Sequence, residues 1–525
     1  MRCDDQAVDV LSGRVRAHRG ASIERRLGTI NAIACLLLGA LPAAATSLPS
    51  WLQVNGRLYG LAIVDTGGGP RQRPESIGTL EIRATPTRAL RGLLELRGRV
   101  GGPFEGGPGP AVYNFGEAFQ NNSPAVEVRQ AFLEWRGGSA EVRAGIQTFA
   151  WGKLDGRPPT DVVNPRDWHD PLVVDEFFEE QKIGIPALLG TYYLPDVPRF
   201  DLSGLRFALG WIPVAVPPRL PLILERWFPS AIGVPSRLCV SSGPLPGGGG
   251  CGPHGLPVQV GVATENDVPA RTFENGGVAA RLSGTWHGSD LDLYHYTGPE
   301  TAPDAQLRAA VSSRTPFPDV HLHAAARLVQ DSQVMHMTGG DAALALGDVT
   351  VRAEAAWFVN HSYLSSVADV IAPLGSAMNP VVQHVADRIA HGKSANVQLA
   401  PLFPALDAVE WGVGADTLWH GFQPLLQLNQ IIILGHAPRL LISDPETQVS
   451  GTLRRRFADD RVEAEVRGLW EIERGALYLF PRVSYLVREG LWLRAGYLAL
   501  TGTRNSLLGQ FRANDEVVFQ ARMTF

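Results

Sequence analysis

The sequence has little charge and no long apolar run beyond its first residues. Charged residues make up 19% of the 525 residues, below the roughly 25% of an ordinary soluble domain. Downstream of residue 45, no apolar stretch reaches the about 18 residues that a membrane-spanning helix needs, which excludes a bundle of such helices. The formal net charge of −5 is mildly acidic and argues against nucleic acid as a partner.

Cysteine is scarce as well. Two of the four cysteines, Cys3 and Cys35, lie near the N-terminus, and Cys239 and Cys251 flank a run rich in glycine and proline. One pair that closes a short loop predicts a disulfide formed in an oxidising compartment. The alternative, a zinc site that includes His254, falls short of a full tetrahedral ligand set.

The N-terminus has the layout of a secretory signal peptide. Arg25 and Arg26 precede a mostly apolar run, 27–41, and Pro42-Ala43-Ala44-Ala45 supplies the small residues of a cleavage site. We therefore expect residues 1–45 to be removed. The extension before the two arginines is unusually long, so the true start codon is expected downstream.

Alternation of apolar and polar residues begins directly after this segment. In residues 52–60 the even positions are apolar or glycine, and the odd positions are polar or aromatic. A strand of a membrane barrel needs this pattern, because one face meets lipid and the other meets a wet lumen. The pattern recurs in pieces of about ten residues, the length that crosses a bilayer at a tilt.

Short turns join these pieces into hairpins, and long segments separate the hairpins. The predicted hairpins are 126–136 with 141–151, 278–286 with 290–298, 342–346 with 349–360, 447–457 with 461–473, and 477–487 with 491–500. The long irregular segments are 101–125, 152–180, 216–274, 299–318 and 361–394. The sequence thus predicts an all-β fold: a transmembrane antiparallel up-and-down β-barrel of about 16 strands (roughly 14–18), with short periplasmic turns and long outer loops. Residues 46–525 are expected to form it as a single domain.

The last strand carries the most specific local signal. Phe519, Met523 and Phe525 share one face of an amphipathic strand that ends in phenylalanine. Such an ending is typical of the insertion signal read by the outer-membrane assembly machinery, which makes that machinery an expected partner. The alternative is an ordinary edge strand that ends in phenylalanine. With the secretory signal, this pattern predicts the outer membrane of a Gram-negative bacterium, in contact with outer-membrane lipid.

A series of short motifs runs through the chain. They include Trp151-Gly152, Asn164-Pro165-x-Asp167, and the segments 129–135, 179–183, 210–213, 481–485 and 509–515. These motifs resemble a widespread proteobacterial outer-membrane β-barrel family of unknown function, over nearly all of residues 46–525. The resemblance implies a pore or an export component, in some cases beside a pump-type exporter of hydrophobic compounds. The segment 236–254, which carries both cysteines, departs from the family pattern.

Segment 152–180 is rich in charged residues. A charged segment that follows a strand can fold into the lumen and set the size and polarity of a pore. The constriction candidates are Lys153, Asp155, Arg157, Asp161, Asn164, Arg166, Asp167, Glu179 and Glu180. On the preceding strand, Glu141, Arg143 and Gln147 are expected to line the lumen as wall. The alternative for the segment is a solvated surface loop held by arginine–carboxylate pairs.

Other constellations predict little chemistry. His321 and His323 share one strand face, but no third ligand can be assigned, so neither a metal site nor a cofactor is predicted. The apolar spacing of 380–390 predicts a short amphipathic helix, which could plug the pore, lie across its mouth or have no gating role. The sequence contains no nucleophile elbow, no zinc-protease motif and no P-loop, so we expect no enzymatic activity.

Three classes of function remain open at this point. The sequence favours a channel, or the outer-membrane part of an export route, for small or hydrophobic molecules, with a periplasmic or pump-type exporter as a partner. The second class is a surface binding or adhesion barrel that acts through its long loops, with the segment between Cys239 and Cys251 as contact surface. The third and least favoured class is a membrane hydrolase.

Overall fold

Eighteen antiparallel strands form a closed barrel. The computed structural model describes residues 48–68, 74–101, 126–168, 181–221, 225–241, 251, 255–266, 272–302, 304–315, 321–330, 333–435 and 439–525. Among these residues, β1 (Leu52–Asp65) pairs with both β2 (Glu75–Ala84) and β23 (Glu516–Thr524), which closes the ring. The predicted fold is confirmed, with 18 strands rather than about 16, at the upper end of the predicted range.

Strands are numbered β1 to β23 along the chain, and five of them belong to a second sheet. The remaining barrel strands are β3 (Leu90–Gly101), β4 (Val126–Gly137), β5 (Ala140–Gln147), β6 (Ile185–Tyr193), β7 (Leu202–Ile212), β10 (Gly277–Trp286), β11 (Ser289–Pro299), β14 (Val334–Leu346), β15 (Val349–Ser362), β17 (Ala405–Thr417), β18 (Phe422–Leu434), β19 (Glu446–Phe457), β20 (Val462–Glu471), β21 (Ala476–Arg488) and β22 (Leu491–Thr501). All five predicted hairpins are present.

The connections differ between the two ends of the barrel. Tight turns, such as 138–139, 287–288, 347–348 and 489–490, lie at the end where β1 begins and β23 ends. The described residues of the long connections 148–184, 213–276, 300–333 and 363–404 lie at the opposite end. In outer-membrane barrels the short turns face the periplasm and the long loops face outward. We use "outer end" for the end with the long segments.

The outer wall is apolar and the inner wall polar, as the alternation requires. Large apolar side chains stay exposed on the outside, among them Leu133, Trp135, Leu209, Leu293, Trp357, Leu426 and Val483. Alternate positions bury polar side chains inside the barrel, among them Glu134, Glu354 and Gln427. A closed ring with an apolar exterior is suited to lipid, because no strand edge leaves backbone groups unpaired there. The protein is therefore an outer-membrane barrel.

The C-terminal residue packs on the first strand. Gly56 and Phe525 exchange backbone hydrogen bonds of 2.8 and 3.0 Å. The Phe525 ring covers Gly56 so closely that a Cβ there would come within 2.2 Å of it. Phe519 and Phe525 are exposed on the outer face, and Met523 is partly exposed beside them. All three lie at the closing seam of the barrel, and their role as an insertion signal stays a prediction.

Three long segments fold together into a second sheet at the outer end, which we call the loop sheet. Its strands are β8 (Arg237–Ser241), β9 (Gly255–Asn266), β12 (Ala305–Ser313), β13 (Leu322–Gln330) and β16 (Ala395–Pro401). Their spatial order is β16-β12-β13-β9-β8, and β9 and β13 are parallel. The prediction of irregular structure is wrong for β8, β9 and β12, whereas β13 and β16 lie outside the segments predicted to be irregular. It failed because two of the four pairings, β12 with β16 and β9 with β13, join strands of different loops, which no local hairpin pattern signals.

Two helices cover one face of the loop sheet. They are α1 (Val367–Ile371) and α2 (Pro380–Ala390). Asn379 caps α2 by accepting a hydrogen bond of 2.8 Å from the amide of Val381, and Pro380 lies at the position where a missing N–H is harmless. The apolar face of α2 is buried against the sheet, in a cluster formed by Leu256, Val258, Val311, Leu322, Ala324, Ala386, Ile389 and Val397. The predicted amphipathic helix is thus present, and its apolar face packs within the loop sheet.

A disulfide joins Cys239 on β8 to Cys251, with the two Cα atoms 5.4 Å apart. The predicted disulfide is confirmed. It closes the connection between β8 and β9, at an edge of the loop sheet. Within the described ranges, no helix is long and apolar enough to span a membrane.

Loop residues also pack against the inner wall of the barrel. One cluster packs Phe149, Trp151 and Val163 against the inner wall from β6 to β15. A second places Trp227 against β1 and β21–β23, and a third packs Tyr363 and its neighbours against β17 and β18. Because burying each large apolar side chain contributes about 1.5–3 kcal/mol, these clusters hold the loops inside the barrel.

Candidate functional site: a segment that crosses the lumen

Residues 148–168, here called the crossing segment, leave β5 and turn into the lumen. Asn164 holds the base of this segment. Its side-chain oxygen accepts a hydrogen bond from the amide of Phe149 at 2.7 Å, and its side-chain nitrogen donates to the carbonyl of Ile183 at 2.8 Å. The same nitrogen donates to the carbonyl of Gln147 at 3.3 Å. These bonds take the chain out of the wall, so β5 ends at Gln147 and not at Trp151 as predicted.

From this base the segment reaches nearly the opposite wall. The Trp151 ring packs against Tyr294 of β11, with ring centroids 4.9 Å apart and the ring planes tilted by 36°. At the tip, the amide of Asp155 donates to the side-chain oxygen of Gln427 at 2.9 Å, and the Gln427 nitrogen donates back to the carbonyl of Asp155 at 2.7 Å. Gln427 lies on β18, which is almost diametrically opposite β5 in the ring. The segment therefore spans the lumen and is attached at its far end.

Lys153 fixes the middle of the crossing segment by charge. Its Nζ donates to Asp292 of β11 at 2.7 Å and to Asp341 of β14 at 2.5 Å. Arg281 bonds Asp292 at 2.9 Å, and the hydroxyl of Tyr294 donates to Asp341 at 2.6 Å. Burial by itself lowers the pKa of Lys153, but the two carboxylates hold that pKa above its usual value. Lys153 is therefore a charged anchor on the wall.

Glu354 of β15 accepts several hydrogen bonds from the crossing segment. Its carboxylate accepts hydrogen bonds from the amides of Lys153 at 3.0 Å and Thr160 at 2.7 Å, and from the Thr160 hydroxyl at 2.7 Å. Gly152 lies directly against this carboxylate. Its φ is +78°, and a Cβ there would come within 2.8 Å of Glu354 and 2.5 Å of Pro158. Glycine is required at this position by both conformation and space.

The return path of the segment is held by buried ion pairs. Asp161 binds Lys182 at 2.9 Å and Arg166 at 2.6 Å. Lys182 is 1% exposed and also donates to the carbonyl of Phe149 at 2.9 Å. These contacts join the return path to the departing chain.

Asp167 ties the end of the segment to another loop. It binds Arg219 at 3.4 Å, and Arg219 in turn binds Glu127 of β4 at 2.9 Å. Together with Asn164 and Gly152, Asp167 gives the motif Trp-Gly…Asn-Pro-x-Asp a structural explanation: its residues seat the crossing segment in the barrel.

The structure thus separates the predicted constriction candidates. Exposed side chains at the tip belong to Asp155 and Arg157, which line the open cavity described below. Anchoring contacts are made by Lys153, Asp161, Asn164, Arg166 and Asp167. Glu179 and Glu180 lie outside the described residues.

The three wall candidates lie on the inner face of β5. Glu141 binds Arg136 at 2.7 Å, and Arg143 binds Glu134 at 2.6 Å. Gln147 is fully buried and donates to a backbone carbonyl of β6 at 2.9 Å. Glu141 and Arg143 thus lie along the inner wall, whereas Gln147 belongs to the base of the crossing segment.

An open cavity of about 820 Å³ lies between the tip of the crossing segment and strands β17–β21. Toward the short-turn end it reaches Asp348 and Thr417. Its polar lining includes Asp155, Arg157, Arg352, Glu410, Gln427, Asn429, Gln448, Ser450, Thr452, Arg454, Arg467 and Tyr478. Such a lining suits a water-filled passage.

A group of lumen arginines was not among the predicted site residues. Arg454 and Arg456 lie on β19, and Arg467, Arg482, Arg494 and Arg522 lie on the four strands that follow. The signal for them is the inward alternation of each strand, such as Arg454 and Arg456. This alternation has to be combined over five neighbouring strands, and the sequence alone does not give the register in which those strands pair.

The two histidines of the predicted pair lie in the loop sheet, and the next histidine along the chain lies in the barrel. His323 lies on β13 and His321 just before it, both in the loop sheet, whereas His336 lies on barrel strand β14. Within the part of the chain that the structure describes, no group of three histidine, cysteine or acidic side chains is placed to hold a metal ion.

No protein-family model and no curated protein matches this chain. Among solved structures, it is similar to OccAB4 of Acinetobacter baumannii, with 10% identity, 91% of this chain and 98% of that chain covered, and a TM-score of 0.42. A BenF-like porin from Pseudomonas fluorescens gives 10% identity, 91% and 98% coverage and a TM-score of 0.41. Wzi of Escherichia coli, a carbohydrate-binding β-barrel involved in capsule assembly, gives 10% identity, 93% and 87% coverage and a TM-score of 0.40. Such distant likenesses carry no inference about what this protein transports or binds.

Proposed function

We propose that the protein is an outer-membrane channel for small solutes, with its constriction beside the crossing segment. The observation that carries this proposal is the path of residues 148–168. They span the lumen from β5 to β18 and leave a cavity of about 820 Å³ beside their tip, lined by both polar and apolar side chains. A pore narrowed in this way selects solutes by size and by the polarity of its lining at close range.

The constriction has a defined width because the segment is held along its length. Asn164 fixes the base, Lys153 and Glu354 fix the middle, and Gln427 fixes the tip. The charged and amide groups around the cavity can bind polar solutes, and its apolar lining can contact the hydrophobic compounds that the family resemblance implies. An exporter that docks at the short-turn end remains compatible with this channel.

Single-channel conductance of the purified full-length protein in a planar bilayer tests the proposal. Steady openings are expected, and folded, inserted protein that stays silent would contradict a channel. Q427A removes both hydrogen bonds at the tip and should raise the mean conductance. L426A is the control, because Leu426 lies on the same strand and is 64% exposed on the outer face.

A surface-binding role is the second candidate, and the loop sheet is the observation that favours it. Its five strands and two helices have hydrophobic clusters of their own at the outer end. A channel needs only simple loops to connect its strands, whereas the loop sheet is a folded unit with its own hydrophobic core. Three results together would favour this role over the channel. The purified protein would bind intact bacterial cells, it would lose this binding when the loop sheet is cleaved by protease, and it would show no conductance in bilayers.

A further inference from the structure

Arg455 is a cation on the lipid-facing wall of the barrel, close to its short-turn end. Along β19, Arg454 and Arg456 point inward and pair with lumen glutamates, whereas Leu453 and Phe457 are exposed on the outer wall. Because side chains alternate along a strand, Arg455 shares the outer wall with Leu453 and Phe457. It lies two residues before the end of β19, about 7 Å from that end of the strand.

Two aromatic rings hold the guanidinium of Arg455 at this level. The guanidinium carbon lies 4.4 Å from the ring centroid of Phe422 on β18 and 5.0 Å from that of Phe457. Such contacts fix the position of the guanidinium and leave its N–H groups free to donate. Within the described ranges, no carboxylate forms an ion pair with Arg455. A charge that faces lipid is unfavourable until an opposite charge meets it.

An apolar groove of about 330 Å³ begins beside Arg455 on the same wall. The strand register places Ala464, Val483 and Ala495 in a row that continues from Arg455 across β20, β21 and β22. Two of these three side chains are single methyl groups, so the wall is hollow along the row. The other outward-facing side chains that line the groove are Phe422, Leu453, Phe457, Val466 and Pro481. A flexible hydrocarbon chain can fill such a groove by close packing.

We propose that Arg455 and this groove form a binding site for one phospholipid of the periplasmic leaflet. The guanidinium binds the lipid phosphate through its forked N–H groups, and an acyl chain packs along the groove. A phospholipid fits because it carries both chemistries, and because the cation lies near the strand end, where basic residues attract anionic headgroups. The site goes beyond the proposed channel function and rests only on the position of the barrel in the outer membrane.

Native mass spectrometry of the purified full-length protein, released from neutral detergent micelles, tests this site with dioleoyl phosphatidylglycerol as the probe. Dioleoylglycerol, which lacks the phosphate, and glycerol 3-phosphate, which lacks the acyl chains, are the matched probes. We expect a saturable adduct of the phospholipid and much weaker adducts of the other two. A phospholipid that binds no more tightly than dioleoylglycerol would overturn the site, because the guanidinium would then contribute nothing.

R455Q should weaken phospholipid binding roughly tenfold or more, since charge-assisted hydrogen bonds to the phosphate are lost. Binding of dioleoylglycerol should not change. The matched control is R461Q, because Arg461 is an exposed arginine of the short turn that follows β19. An equal loss in R461Q would overturn the site, because it would show only a general attraction of anionic lipid to this end of the barrel.

A495L tests the groove without touching the cation. Ala495 lies at the far end of the row and is exposed, so leucine can be accommodated there without disturbing the barrel. The larger side chain fills the groove, and weaker phospholipid binding is expected although Arg455 is intact. Unchanged binding in A495L would contradict a seated acyl chain. A wild-type protein that is dimeric and free of lipid, and that becomes monomeric in R455Q, would assign this face to a second copy and overturn the lipid site.

Discussion

Thr160 is fixed to the barrel wall by Glu354 through two hydrogen bonds of 2.7 Å, one from its amide and one from its hydroxyl. The two residues are far apart in sequence, and Glu354 is 3% exposed. The same carboxylate also accepts the amides of Lys153 and Leu154. One side chain of β15 therefore holds both the outward and the return path of the crossing segment.

E354A should make the crossing segment more mobile and widen the constriction, whereas the barrel should stay folded. It leaves several buried donors of the segment without an acceptor, at about 1–3 kcal/mol for each donor. We expect larger and noisier single-channel currents, whereas the folded fraction, read from the heat-dependent gel shift of the barrel, should stay high. E81A is the control, since Glu81 bonds Arg83 and Asn55 on the inner wall. Wild-type conductance in E354A would show that the segment does not set the pore width.

G152A should lower the stability of the seated segment. A Cβ at this position combines an unfavourable φ of +78° with a contact of 2.5 Å to Pro158. Strain of this kind costs about 1–3 kcal/mol before any clash is added. G347A separates the two causes, because Gly347 has a φ of +62° but open space around it. G152A should lower the unfolding temperature in the gel-shift assay more than G347A does, and equal losses would rule out the steric contact.

Sequence patterns predict the barrel well because its alternation is local. Each hairpin shows an apolar face and a polar face within its own residues, as in the pair β4 and β5. The loop sheet is different. Its parallel pair joins Val258 of one loop to Leu322 of another, and no local pattern encodes that pairing.

The location of the candidate site could be predicted from the sequence, but the roles of its individual residues could not. The charge of segment 152–180 suggested a lumen constriction, and the crossing segment does span the lumen. However, whether a charged residue faces water or a buried partner depends on groups distant in sequence. Asp161 meets Lys182, and Lys153 meets Asp341. Only the three-dimensional arrangement separates these anchors from the exposed Asp155.

Asp155 and Asp161 should respond differently to the same substitution. The Asp155 carboxylate is 59% exposed in the cavity, 3.4 Å from Arg352, so D155N should shift the reversal potential in a KCl gradient toward anion preference. Asp161 is buried between Lys182 and Arg166, so D161N should destabilise the fold by about 3–5 kcal/mol with little change in selectivity. An unchanged reversal potential in D155N would place the tip outside the ion path.

Glu300 should make the outer end of the barrel sensitive to acid. This carboxylate is 3% exposed and accepts hydrogen bonds from the amides of Thr301 and Ala302 at 2.8 and 2.9 Å. It also bonds His361 and the amide of Ser362, at 2.8 and 2.9 Å. Burial alone raises the pKa of Glu300, but His361 and the backbone amides hold it below its usual 4.5.

The lowered pKa of Glu300 determines the direction in which pH changes the stability of the fold. The ionised carboxylate stabilises the fold above its unfolded-state pKa, and that contribution is lost as the pH falls through the folded-state value. Between about pH 5 and about pH 3, the wild-type unfolding temperature should therefore fall more steeply than that of E300Q, which has no such proton to take up. E265Q is the control, because the ion pair of Glu265 with Arg327 is exposed and contributes little. Parallel pH curves for the wild type and E300Q would show that Glu300 does not link protonation to folding.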